Sequence, residues 1–140
     1  GQARAISEQI DSMLASPAVE ETTAETRDGE RLIDGERHGF VRPTVVRCES
    51  PDAPLANSEY MFPFVSVVEC EQDSMLRNIG YTLVGTAITE DEGFRRQLLE
   101  TPLIDRLNFG AIPTTRLNWL QPHEGNIVDF LYRARAFQQA

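Results

Sequence analysis

The stretch Phe40-Val41-Arg42-Pro43-Thr44-Val45-Val46-Arg47-Cys48 and the later run Phe62-Pro63-Phe64-Val65-Ser66-Val67-Val68-Glu69 decide the fold class. Both are short, apolar and rich in β-branched residues, which suit a pleated backbone. Proline donates no ladder hydrogen bond, so Pro43 belongs near the start of the first strand. Neither run alternates apolar with polar in the manner of a half-solvated strand, so burial on both faces is expected. A Pro-containing connection over residues 50–56 separates them.

Working outward, Ile6, Ile10, Met13 and Leu14 fall on one face of a helix, and Pro17 marks its end. A weaker, polar helical stretch is expected over residues 19–27. Residues 28–39 hold three glycines (Gly29, Gly35 and Gly39) and alternating charges, and read as a loop with an extended piece at Leu32 and Ile33. Downstream, Asp73 or Ser74 can cap a short helix through Ile79. A third strand is expected over 81–89. Thr89 and Glu92 form a capping box before a helix over 94–100. A fourth strand is expected over 103–112, then a loop over 114–125. Ile127, Phe130, Leu131, Ala134 and Phe137 make the apolar stripe of a last helix. Strands alternating with helices point to an α/β fold: three layers, with a largely parallel sheet and helices on both faces. One domain over 1–140 suits the length.

The chain has 140 residues, of which 41% are hydrophobic and 25% charged, an ordinary globular composition. It carries 22 acidic residues against 13 basic ones, for a net charge of −9. Such a surface repels phosphate backbones and anionic lipids, so neither nucleic acid nor membrane is an expected partner. All the basic residues are Arg; the absence of Lys removes Schiff-base and P-loop chemistry from these residues. No apolar run approaches a bilayer span and no secretory pattern opens the chain, so the expected location is cytoplasmic.

The side chains offer little chemistry by spacing alone. Cys48 and Cys70 match no zinc or redox motif and read as free thiols at the ends of apolar strands. His123 and Glu124 are too few for a metal site. The carboxylate clusters Glu20–Glu21 and Glu90–Asp91–Glu92 are expected at helix starts, where they complement the dipole. Arg95 and Arg96 are expected on a solvent face. There is no G-x-G-x-x-G, Walker or G-x-S-x-G motif.

A resemblance adds more. Gly39-Phe40-Val41-Arg42-Pro43-Thr44-Val45 resembles a stretch of the aldehyde dehydrogenase superfamily that reads Gly, an aromatic, Phe or Val, any residue, Pro-Thr, then Val or Leu. The family's next element is E-x-F-G-P-V. Here Glu59-Tyr60-Met61-Phe62-Pro63-Phe64-Val65 stands in the expected place, after Leu55-Ala56-Asn57-Ser58. The segment from Ile79 to Thr89 is similar to the family's "YGL-A-A-hydrophobic-T" strand. Asp105 to Gly110 resembles the strand near its substrate entrance. The order and spacing agree across roughly residues 6–137.

The resemblance implies an NAD- or NADP-dependent oxidoreductase. A cysteine thiolate attacks an aldehyde, hydride passes to the nicotinamide, and a Glu base activates the water that hydrolyses the thioester. The nucleotide-binding half, the nucleophilic Cys and the base lie earlier in the family's chains. The expectation is therefore a C-terminal fragment without catalytic residues, binding no cofactor alone. Gly1-Gln2 is not the family's G-Q-x-C, because position 4 is Arg.

By the same likeness Glu59 is the carboxylate for the nicotinamide ribose hydroxyls; alternatively it is a surface loop residue. Met61 stands where the family has the Phe beside the nicotinamide, and Phe62 replaces a Gly. The family's P-x-G-G-x-K-x-S-G has no clean counterpart at residues 122–126. Trp119 is a candidate wall of the aldehyde tunnel, or a loop aromatic packed on the core. The expected partner is the missing N-terminal half of the enzyme. Two other readings stand beside it: a stand-alone half-domain that dimerises or binds a partner, and a small-molecule pocket protein without a redox role. The first two readings predict an exposed apolar face.

Overall fold

The structure, a computed structural model, describes residues 1–116. The chain divides into two compact units, Gly1–Asn78 and the part from Ile79 onward.

The first unit opens with α1 (Gln2–Leu14), whose Ile10 is fully buried. Chain reversal after Pro17 leads to β1 (Val19–Glu21). Here the expected helix over 19–27 is overturned. Val19–Glu21 pairs antiparallel with β4 (Thr44–Cys48), and turns follow it. Thr22 N–H donates to Val45 O at 3.0 Å, so a sheet ladder takes the backbone groups that a helix would have used. β2 (Leu32–Asp34) and β3 (Gly39–Val41) form an antiparallel hairpin, with Ile33 opposite Phe40. β5 (Phe64–Val68) runs parallel to β4, Thr44 facing Phe64 and Cys48 facing Val68. The sheet order is β1-β4-β5.

The expected strand over 40–48 is split in two. Arg42 N–H bonds to Arg31 O at 2.9 Å, Pro43 has no N–H to give, and Thr44 N–H bonds to Pro63 O at 2.9 Å. The proline is therefore the joint at which the chain leaves one sheet and enters another. α2 (Gln72–Ile79) follows β5. Gly80, at φ 65°, supplies the left-handed residue that ends it.

The core of this unit gathers Ile10, Val19, Val46, Cys48, Ala53 and Leu55, with Phe64 and Val68 packed on it. Burial on both strand faces does not hold among the described residues. Thr44, Val46 and Cys48 point inward, while Val65 and Val67 are about half exposed. Apolar composition alone cannot report a bare face.

The second unit contains β6 (Thr82–Ala87), α3 (Glu92–Glu100) and β7 (Ile104–Phe109). β6 and β7 are parallel, with Ala87 beside Phe109, and α3 connects them. Phe94 and Leu98 are the helix's buried residues. Its N-cap is Asp91, whose carboxylate accepts from Phe94 N–H at 3.0 Å. Thr89, expected as the cap, instead accepts from Asp91 N–H and shapes the approach. Arg95 does not simply face solvent: its guanidinium lies 4.8 Å from the centre of the Phe109 ring. The protein is thus a mixed α/β fold with small sheets, parallel in the β4–β5 and β6–β7 pairs. No described helix is long and apolar enough to cross a membrane.

Candidate functional site

The connection between β4 and β5 carries the two cofactor candidates taken from the sequence. Tyr60, Phe62 and Phe64 turn to the same side and pack as an aromatic cluster, Tyr60 meeting Phe64 edge-on with ring centres 4.8 Å apart. Met61, between two of these aromatics, is 98% exposed, and Glu59, just before them, is exposed as well. No hydrogen bond or ion pair engages the Glu59 carboxylate among the described residues, so both its oxygens remain free to accept.

Met61, Phe62 and Pro63 form one side of a groove of about 590 Å³. Its other sides come from the first residues of α1 and from the β2–β3 hairpin. Phe40 and Met61 give it apolar walls, while Arg4, Asp34 and His38 supply its polar groups. Arg4 and Asp34 are paired with each other, both about half exposed. Glu59 is not among the lining residues. The structure therefore brings Met61 to the groove and leaves Glu59 two residues away in the same connection. Trp119 and His123 lie outside the described residues, as do the expected last helix and residues 122–126.

A second polar cluster escaped the sequence reading. Arg31 is buried, and its guanidinium donates to Glu21 Oε2 at 2.5 Å, Asp11 Oδ1 at 2.9 Å and the Ser7 carbonyl at 3.1 Å. Arg27 pairs with the other Glu21 oxygen. Burial by itself would raise the Glu21 pKa, but the bonds to Arg31 and Arg27 outweigh it and hold the carboxyl below its ordinary value. Glu20 and Glu21 thus do not sit at a helix start. They lie on β1, Glu20 facing Arg47 across the ladder and Glu21 facing inward. Nothing in the local sequence separates Arg31 from the surface arginines around it; only its three-dimensional neighbours do.

Cys48 and Cys70 are free thiols. Burial pushes the Cys48 thiol up, which makes it a poor nucleophile at neutral pH. Among the described residues, no group of three or more His, Cys, Asp or Glu is arranged to hold a metal ion.

No protein-family model matches this chain, and no match to it is found among curated proteins.

The groove offers apolar faces for a flat ring, and Glu59 offers a carboxylate with two open acceptors for vicinal hydroxyls. These features supply orientation and contact area, and the described residues around the groove provide no activated nucleophile.

Proposed function

We propose that this chain is the C-terminal portion of the catalytic domain of an NAD- or NADP-dependent aldehyde dehydrogenase, and that alone it oxidises no aldehyde. In the whole enzyme its sheets would join a three-layer, largely parallel arrangement with helices on both faces. The missing N-terminal half would bring the nucleotide-binding fold, the thiol nucleophile and the general base. When bound, the cofactor supplies hydride acceptance. Glu59 would hold the ribose hydroxyls and Met61 would limit the space beside the ring.

The observation that carries this reading is the parallel pairing of Thr44–Cys48 with Phe64–Val68. Their connection delivers Met61 to the groove and leaves the Glu59 carboxylate open. The order of motifs in the sequence requires such a neighbourhood. The half-exposed Val65 and Val67 also suit a surface covered by further protein.

The test is to express the reading frame together with the sequence encoded upstream of Gly1, and to follow nicotinamide reduction at 340 nm with a panel of aldehydes. Aldehyde-dependent reduction by the long form, absent from residues 1–140, supports the reading. An upstream sequence without a nucleotide-binding fold and a nucleophilic Cys overturns it.

The same exposed valines favour a second reading, a stand-alone half-domain that dimerises. Light scattering on residues 1–140 separates the two. A stable dimer of the 15.7 kDa chain supports the module, and a monomer supports the fragment.

A further inference from the structure

Two of the groove's three sides are α1 and the β2–β3 hairpin, and among the described residues polar side chains tie these two walls together in two places. The outer tie is the Arg4–Asp34 pair, about half exposed on both sides. Exposed pairs of this kind hold little. The inner tie is Arg31, the residue immediately before β2. Its side chain reaches Ser7 and Asp11 of α1, and its carbonyl accepts from Arg42 N–H just after β3. The same guanidinium is anchored from below by Glu21 of β1. Arg31 is therefore bonded to α1 through its side chain and to the hairpin through its backbone.

We propose that Arg31 is a positioning residue, whose buried guanidinium sets the separation of these two walls. The inference rests on the groove being the functional site for its consequence in catalysis, but its geometry is testable without any activity. Only Arg suits the position. Its planar fork addresses Ser7, Asp11 and Glu21 at once, whereas a Lys ammonium is a single point donor centre on a flexible stem.

The walls also supply their own gauge. A Cβ built on Gly39 of β3 would lie 3.6 Å from the Ala3 Cβ of α1. Disulfides need roughly 3.5–4.5 Å between Cβ atoms. The Ala3→Cys/Gly39→Cys pair should therefore close when the walls stand as described. Asp34 Oδ1 and the Ile33 carbonyl, each 3.3 Å from the added Cβ, must give by a few tenths of an ångström.

The experiment measures the effective concentration of that thiol pair in glutathione redox buffers, with the bond assigned by peptide mass mapping. Adding Arg31→Met should lower the effective concentration by about tenfold or more. Arg31→Lys should fall between. A Leu55→Ala control, which weakens the core elsewhere, should leave it unchanged after both variants are compared at matched distance from their urea midpoints. If Arg31→Met does not fold, Asp11→Asn, which weakens only the α1 side of the tie, takes its place and should lower the value by a few fold. An unchanged effective concentration in the Arg31 or Asp11 variant overturns the proposal, as does an equal fall in the Leu55→Ala control. Failure of the dehydrogenase reading would leave these values untouched.

Discussion

Arg31 Nη2 lies 2.5 Å from Glu21 Oε2, and both side chains are only 6% exposed. Asp11, at 64% exposure, completes the arrangement from the solvent side, and Arg27 takes the second Glu21 oxygen. Positive and negative groups alternate through the cluster, so each buried charge has a partner. Glu21 is the shared member, so removing it takes the carboxylate from Arg31 and Arg27 together.

Glu21→Ala should therefore cost about 3 kcal/mol, because an arginine loses its main partner inside the fold. Urea unfolding followed by circular dichroism reads this directly. A loss under 1 kcal/mol would mean that water screens the cluster far more than its burial indicates.

The same carboxyl fixes an acid limb. Its folded pKa lies below the ordinary value of 4.5, so its stabilisation is complete above that value. It is lost as pH falls further, through the folded value. Arg31 stays charged throughout, since its own pKa is raised by Glu21 and Asp11 against the opposing effect of burial. Urea midpoints measured from pH 7 to pH 3 should drop below about pH 4.5 in the wild type. Glu21→Gln should flatten part of that drop; an unchanged slope would place the acid sensitivity elsewhere.

The two thiols should separate cleanly. Cys48 is fully buried, with its pKa pushed up by burial, whereas Cys70 is partly exposed. Ellman's reagent at pH 8 should titrate Cys70 in the folded protein and Cys48 only after denaturant is added. Rapid modification of both without denaturant would show that β4 opens readily.

Asp91→Ala should remove the α3 cap, at a cost of about 1 kcal/mol. Amide exchange at Phe94, whose N–H donates to Asp91 at 3.0 Å, should accelerate most. Unchanged exchange there would indicate that the carboxylate does not protect that amide in solution.

On the proposed function, Glu59→Gln in the long form should raise the KM for NAD or NADP by about tenfold, since a charged acceptor becomes a weaker neutral one. The KM for aldehyde should hardly move. Steady-state kinetics with each substrate varied in turn distinguishes this from a general loss of folding.

Much of the element order is legible in the residues themselves. The spacing of Ile6, Ile10 and Leu14 gives α1, and Pro17 lies just beyond its end. The β-branched runs give β4 and β5, and the turn from Thr89 to Glu92 announces α3. These are local signals, set by side-chain period, β-branching and capping chemistry. Glu59 and Met61 have no such local signal; they stand as candidates only through the likeness to the aldehyde dehydrogenase motif order.

Tertiary structure decided the rest. Val19–Glu21 is a strand because β4 offers it a ladder, although its polar surroundings read as a helix. Pro43 divides one expected strand in two because the residues flanking it find partners in different segments, Arg31 and Pro63. Arg31 becomes a buried hub because Ser7, Asp11 and Glu21, distant along the chain, converge on one guanidinium. The physical reason is common to all three. Periodicity encodes which way a side chain points, but the partner that satisfies a hydrogen bond or a charge is chosen only when separate segments meet.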